Sequence, residues 1–144
     1  MVIALFTAID HVGVAVPDLE AAKEFYRSTF GMEVVHEEVN EEQGVREAML
    51  RAPGTAGTET QIQLLAPLRD DSAIGKFLAK SGPGLQQLAY RVSDVDAAAA
   101  ALREQGLRLL YEEAKRGTSN SRVNFIHPRD AGGVLVELVE PARG

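Results

Sequence analysis

The chain has 144 residues, 45% hydrophobic and 25% charged, a globular balance with enough length to bury a core without disulfides. Fifteen Lys and Arg against 21 Asp and Glu give a net charge of −6, which argues against nucleic acid as a partner. Without cysteine, thiol nucleophiles and thiolate metal sites are excluded, and no apolar run approaches the roughly 20 residues of a membrane span. The apolar stretch from Val2 to Ile9 lacks the basic lead of a signal segment and runs straight into Asp10-His11. A soluble cytoplasmic domain covering residues 1–144 is the expectation, with no membrane partner.

In chain order, residues 8–16 are rich in Val and Ile and read as a strand stopped by Pro17. Asp18 is a helix N-cap, and Leu19, Ala22, Phe25, Tyr26 and Phe30 form a helical stripe that closes on Gly31. Strands follow over residues 32–39, 45–51 and 60–66, with Pro53-Gly54 and Gly57 marking a turn. Residues 71–81 predict a short helix with Ile74, Phe77 and Leu78 on one side. A strand over 85–92 leads to an alanine-rich helix over 94–105 capped by Asp94, then to strands over 107–113, 121–127 and 133–140.

The second part of this list repeats the first. Asp10-His11-Val12-Gly13-Val14-Ala15-Val16 lies over Gln86-Gln87-Leu88-Ala89-Tyr90-Arg91-Val92, and an Asp follows seven residues after His11 and seven after Gln87. Met32-Glu33-Val34-Val35-His36-Glu37-Glu38 matches Leu107-Arg108-Leu109-Leu110-Tyr111-Glu112-Glu113. Gln63-Leu64-Leu65-Ala66-Pro67 matches Glu137-Leu138-Val139-Glu140-Pro141. These three segments, with the Asp-opened helical patterns that close on Gly31 and Gly106, give four matches in one order and indicate a duplication. The fold class is therefore α+β, two tandem βαβββ modules at about 8–67 and 84–141 joined by the helix at 71–81.

Strand alternation places His11 with Gly13 and Ala15, opposite a valine face suited to the helix. By the repeat, Gln87 faces as His11 does, and Gln63 and Glu137 stand at matched places in the closing strands. Each is polar within an apolar strand, where an unpartnered group costs roughly 1–3 kcal/mol. Mutual hydrogen bonding or water would satisfy any one of them; four at matched positions point to a shared task. One imidazole nitrogen with amide and carboxylate oxygens suits a borderline or hard divalent ion such as Co²⁺ or Mn²⁺.

The text Ile9-Asp10-His11-Val12-Gly13, Glu42-Gln43-Gly44-Val45-Arg46-Glu47-Ala48-Met49-Leu50, Leu110-Tyr111-Glu112-Glu113, Asn124-Phe125-Ile126-His127-Pro128 and Gly133-Val134-Leu135 carries a further likeness. It resembles the vicinal oxygen chelate superfamily of glyoxalases, bleomycin-resistance proteins and dioxygenases, and within it the bacterial methylmalonyl-CoA epimerases. The resemblance covers about Ile9 to Pro141 and implies a cupped mixed sheet around one metal held by His11, Gln63, Gln87 and Glu137. Gln87 departs from it, since the familiar pattern has His there, and Gln86 replaces a neighbouring His. The implied reaction removes a proton α to a thioester and returns it on the other face. Glu47 matches the acid/base glutamate, and Glu137 is placed to act on the opposite face.

The polar loop Lys115–Arg122 reads either as a plain turn or as a grip on substrate anions, with Arg122 and Asn124 as candidate substrate-binding residues. His36 and His127 read as structural or exposed. Alternatives that remain open are a glyoxalase I-type lyase and a non-catalytic small-molecule-binding module. Homodimerisation is expected from the resemblance.

Overall fold

In the computed structural model, residues 5–54 and 59–143 are described; Gly57 of the expected turn lies outside them. They form two compact units: one spans His11–Gln86, and the other runs from Gln87 onward together with the segment ending at Asp10.

The first unit contains β1 (Phe6–Ala15) from His11 on, α1 (Leu19–Phe30), β2 (Glu33–Asn40), β3 (Val45–Arg51), β4 (Gln61–Pro67) and α2 (Ala73–Ser81). The strand order is β2-β3-β4-β1, with β1 parallel to β4 and the other neighbours antiparallel. Asp18 caps α1 by accepting from the Ala21 N–H at 3.1 Å, and Gly31 ends it in the left-handed region at φ 68°. Leu19, Ala22 and Tyr26 pack on Val14, Val16, Ala48, Leu50, Leu64 and Ala66, so α1 lies on the valine face. Period-2 alternation then turns His11, Gly13, Ala15, Val45, Glu47, Gln63 and Leu65 to the other face. Capped by Ser72, α2 covers one end of that second face, with Ile74, Phe77 and Leu78 against Ala15, Val45 and Leu65. Gly44 holds the β2–β3 turn at φ 68°, where a Cβ would meet Arg69 and Ser72 within 3.0 Å. Arg69 in turn donates to the Glu41 and Glu42 carbonyls, which fixes the start of β3.

The second unit takes β5 (Gly84–Val92) from Gln87 on, α3 (Val95–Glu104), β6 (Lys115–Arg116), β7 (Arg122–Ile126) and β8 (Val136–Glu140). Its order is β5-β8-β7-β6, with β5 parallel to β8 and the rest antiparallel. Asp94 caps α3 through the Ala97 N–H at 3.0 Å. Val95, Ala98 and Leu102 pack on Val92, Ile126, Val136 and Leu138. Gln87, Ala89, Val123, Phe125, Glu137 and Val139 therefore face away from α3.

The expected strand at 107–113 does not form. Leu109 makes one isolated bridge to Ile126, and the short β6 begins only at Lys115. The pairing stops beside Asn124, whose carboxamide accepts from the Tyr111 N–H at 3.1 Å and from the Phe125 N–H at 2.8 Å and donates to the Tyr111 carbonyl at 3.0 Å. Its side-chain oxygen thus takes the Phe125 N–H, which a ladder continuing from the Leu109–Ile126 bridge would give to the Leu110 carbonyl. Asn124 is only 1% exposed, and Asn124→Ala frees the Tyr111 and Phe125 N–H groups, while the Tyr111 carbonyl keeps Arg103 Nη2 at 2.8 Å. It should lower the unfolding free energy by about 2 kcal/mol in urea titrations; a loss below about 0.5 kcal/mol would show that the freed N–H groups find other partners.

Arg108 anchors the same segment, donating from its backbone and guanidinium to Asp130 at 2.9, 3.0 and 3.1 Å. Chiefly the Arg108 side chain, then its backbone N–H, holds the Asp130 carboxyl down at about 2 instead of 3.8. The contact is at full strength above the ordinary carboxylate value and is lost as pH falls toward 2. In Arg108→Gln, the Asp130 titration followed by NMR should return toward 3.8; a midpoint still near 2 would assign the shift to another group.

Candidate active site

On the α1-distal face of the first unit, His11, Glu47 and Gln63 are 3%, 5% and 3% exposed. Gln63 stands beside Gly13 in the parallel pair and opposite Met49 in the antiparallel one. Because Gly13 lacks a side chain, β1 presents only His11 and Ala15 on either side of the Gln63 amide. Gln63 Nε2 donates to Glu47 Oε2 at 3.1 Å. Leu65 on β4 and Glu38 on β2 lie opposite Glu47, and Val45 and Met49 flank it on the same face.

In the second unit, Gln87 Nε2 donates to Glu137 Oε1 at 2.7 Å. Glu137 is 7% exposed, between Ala89 on β5 and Phe125 on β7. Tyr111 packs on Ala89, Val123 and Val139, and meets Phe125 edge-on at 5.7 Å. Farther along that face, Arg91 is paired to Asp10 at 2.9 Å.

Each unit thus brings one amide and one carboxylate together, although the pairs are not repeat equivalents. Glu137 on β8 occupies the place of Gln63 on β4, while the register partner of Glu47, Leu65, corresponds to Val139, which is paired with Val123. The counterpart of Glu47 is consequently Val123. Asn124, one residue on, points with Ile126 toward α3, and its carboxamide is held on Tyr111. Arg122 shares that side and forms two contacts with Asp96, at 2.9 and 3.2 Å. The structure therefore does not put Arg122 or Asn124 on the face of Glu137. Tyr111 and Phe125 are there instead. Sequence pattern offered one hint of this, the match of Tyr111 to His36 in the repeat.

Each glutamine directs its NH₂ at a carboxylate, and its other atom, the carbonyl oxygen, is of the type that a divalent ion takes. Among the described residues, no three His, Asp or Glu side chains gather into a metal cage.

Residues 10–125 match the Glyoxalase/Bleomycin resistance protein/Dioxygenase superfamily. An ethylmalonyl-CoA/methylmalonyl-CoA epimerase of Cereibacter sphaeroides is 41% identical over 132 residues, covering 90% of this chain and 95% of that protein. The crystal structure of methylmalonyl-CoA epimerase from Mycobacterium tuberculosis superposes with a TM-score of 0.92 at 61% identity, over 99% of this chain and 93% of that one. A Streptomyces coelicolor methylmalonyl-CoA epimerase, solved as a Glu-to-Gln variant in complex with 2-nitronate-propionyl-CoA, gives 0.91 at 54% identity, over 96% of this chain and 99% of that one. The mixed α+β fold is that of these structures.

Proposed function

Because the chain belongs to the Glyoxalase/Bleomycin resistance protein/Dioxygenase superfamily, we propose that it is an acyl-CoA epimerase interconverting the 2R and 2S forms of methylmalonyl-CoA. The observation that carries this reading is Glu47, a buried carboxylate held by an amide on the face that also bears His11. Identity of 61% to one methylmalonyl-CoA epimerase over nearly the whole chain supports it.

In this reading, Glu47 takes the α-proton and Glu137 returns one from the opposite face. Gln63 keeps the Glu47 carboxylate aimed, and Gln87 does the same for Glu137. The apolar neighbours Met49 and Leu65 keep water from the proton. His11 and Gln63 of the first unit and Gln87 and Glu137 of the second are the residues that would serve as donors to a divalent ion. When bound, that ion supplies Lewis-acid stabilisation to the negative charge that develops on the thioester oxygen. Arg122 and Asn124 support the frame of the site through α3 and Tyr111.

One nitrogen and three oxygens favour Mn²⁺ or Mg²⁺ over Zn²⁺, with Co²⁺ between. Gln87→His adds a nitrogen donor, and should tighten Co²⁺ or Zn²⁺ by about tenfold, or about 1.4 kcal/mol, in titration calorimetry. Flat traces from both proteins at saturating ion would reject the donor set. The proposal also includes a cytoplasmic homodimer. Among the described residues no helix is long and apolar enough to cross a membrane, and the exposed Phe25 and Phe30 rings of α1 offer apolar surface to a second copy.

The test is chiral. With Mn²⁺ or Co²⁺ supplied, one epimer of methylmalonyl-CoA should drift to a mixture of both at a rate proportional to protein. A sample that keeps its starting configuration would reject the activity.

A further inference from the structure

We infer that Tyr111 sets how large an α-substituent the site admits, an inference that rests on the epimerase reading and adds a specificity determinant to it. Glu137 has Ala89 and Phe125 as its two cross-strand neighbours. The Tyr111 ring lies on Ala89, Val123 and Val139 and meets Phe125 at 5.7 Å, so it builds the apolar surface beside that carboxylate. An α-carbon that exchanges its proton with Glu137 carries its substituent against this surface.

The ring is unusually well fixed for a residue outside regular structure. Both backbone polar groups of Tyr111 are bound by the buried Asn124 carboxamide. Lys115 Nζ sits 4.5 Å from the ring centroid, and β6, which carries Lys115, is paired to β7. Backbone, ring edge and ring face are thus each restrained. A wall that cannot swing aside discriminates by volume, and one methylene against an apolar wall is worth roughly ten- to two-hundredfold in kcat/KM.

Ethylmalonyl-CoA is the one-methylene probe. Tyr111→Ala should raise the ratio of kcat/KM for ethylmalonyl-CoA over methylmalonyl-CoA by at least about tenfold, the lower end of that range. Tyr111→Phe, which keeps the ring, should leave the ratio within about twofold, since no methylene-sized space is opened. Should the alanine variant fail to fold, Tyr111→Leu removes the ring while keeping apolar contact, and should shift the ratio in the same direction. General loosening of the segment would lower both rate constants together and leave their ratio alone. An unchanged ratio in folded variants that still epimerise methylmalonyl-CoA would overturn the role of Tyr111 and leave the epimerase reading intact. A ratio moved as far by Tyr111→Phe would assign the effect to the hydroxyl and also overturn it. A parent protein that epimerises neither substrate would remove both.

Discussion

Glu47→Gln should lower α-proton exchange in methylmalonyl-CoA by at least about a hundredfold, the scale on which a positioned general base acts. The substitution is nearly isosteric, and the new carbonyl oxygen can still accept from Gln63 Nε2, which now lies 3.1 Å from the carboxylate. Fold and metal content should therefore stay as in the parent, with thermal unfolding and metal analysis as the checks. Glu47 is buried, with Val45, Met49 and Leu65 about it and Glu38 across the strand on β2. Near-normal exchange in a folded, metal-replete variant would place the base elsewhere.

His11→Ala should abolish stoichiometric divalent metal and turnover together. His11 is the single imidazole among the four proposed donors, and the remaining two amides and one carboxylate are weak or already hydrogen-bonded. Affinity should fall by more than about a hundredfold, beyond what losing an outer-shell contact brings. Titration calorimetry and elemental analysis read the metal, and the chiral assay reads the turnover. A variant that keeps a full equivalent of metal and full activity would contradict the donor set.

The parts of the molecule that sequence made legible are those governed by period and by caps. Asp18 and Asp94 each cap the helix expected of them, and alternation in β1 separates His11 from the valines that meet α1. The duplication by itself matches Gln87 to His11 and Glu137 to Gln63. What the pattern did not carry were effects of single side chains on the backbone. Residues 107–113 read as a strand, yet the Asn124 carboxamide takes the Phe125 N–H that the next rung of a ladder would need and bonds Tyr111 instead. Strand pairing sets Val123, the residue before Asn124, at the counterpart of Glu47. One position in a strand reverses the face, and so Asn124 and Arg122 lie toward α3. Nor did the helical stripe of α2 reveal that Ile74, Phe77 and Leu78 would cover part of the face that bears His11.

The central claim is chemical, that this chain removes and returns the proton between a thioester and a carboxylate. Incubation with methylmalonyl-CoA in deuterated water, followed by mass spectrometry of the thioester, tests it directly. The account predicts one deuterium at the α-carbon of the substrate pool, appearing in proportion to protein, requiring the divalent ion and nearly lost in Glu47→Gln. A substrate pool that stays unlabelled with metal present would contradict it.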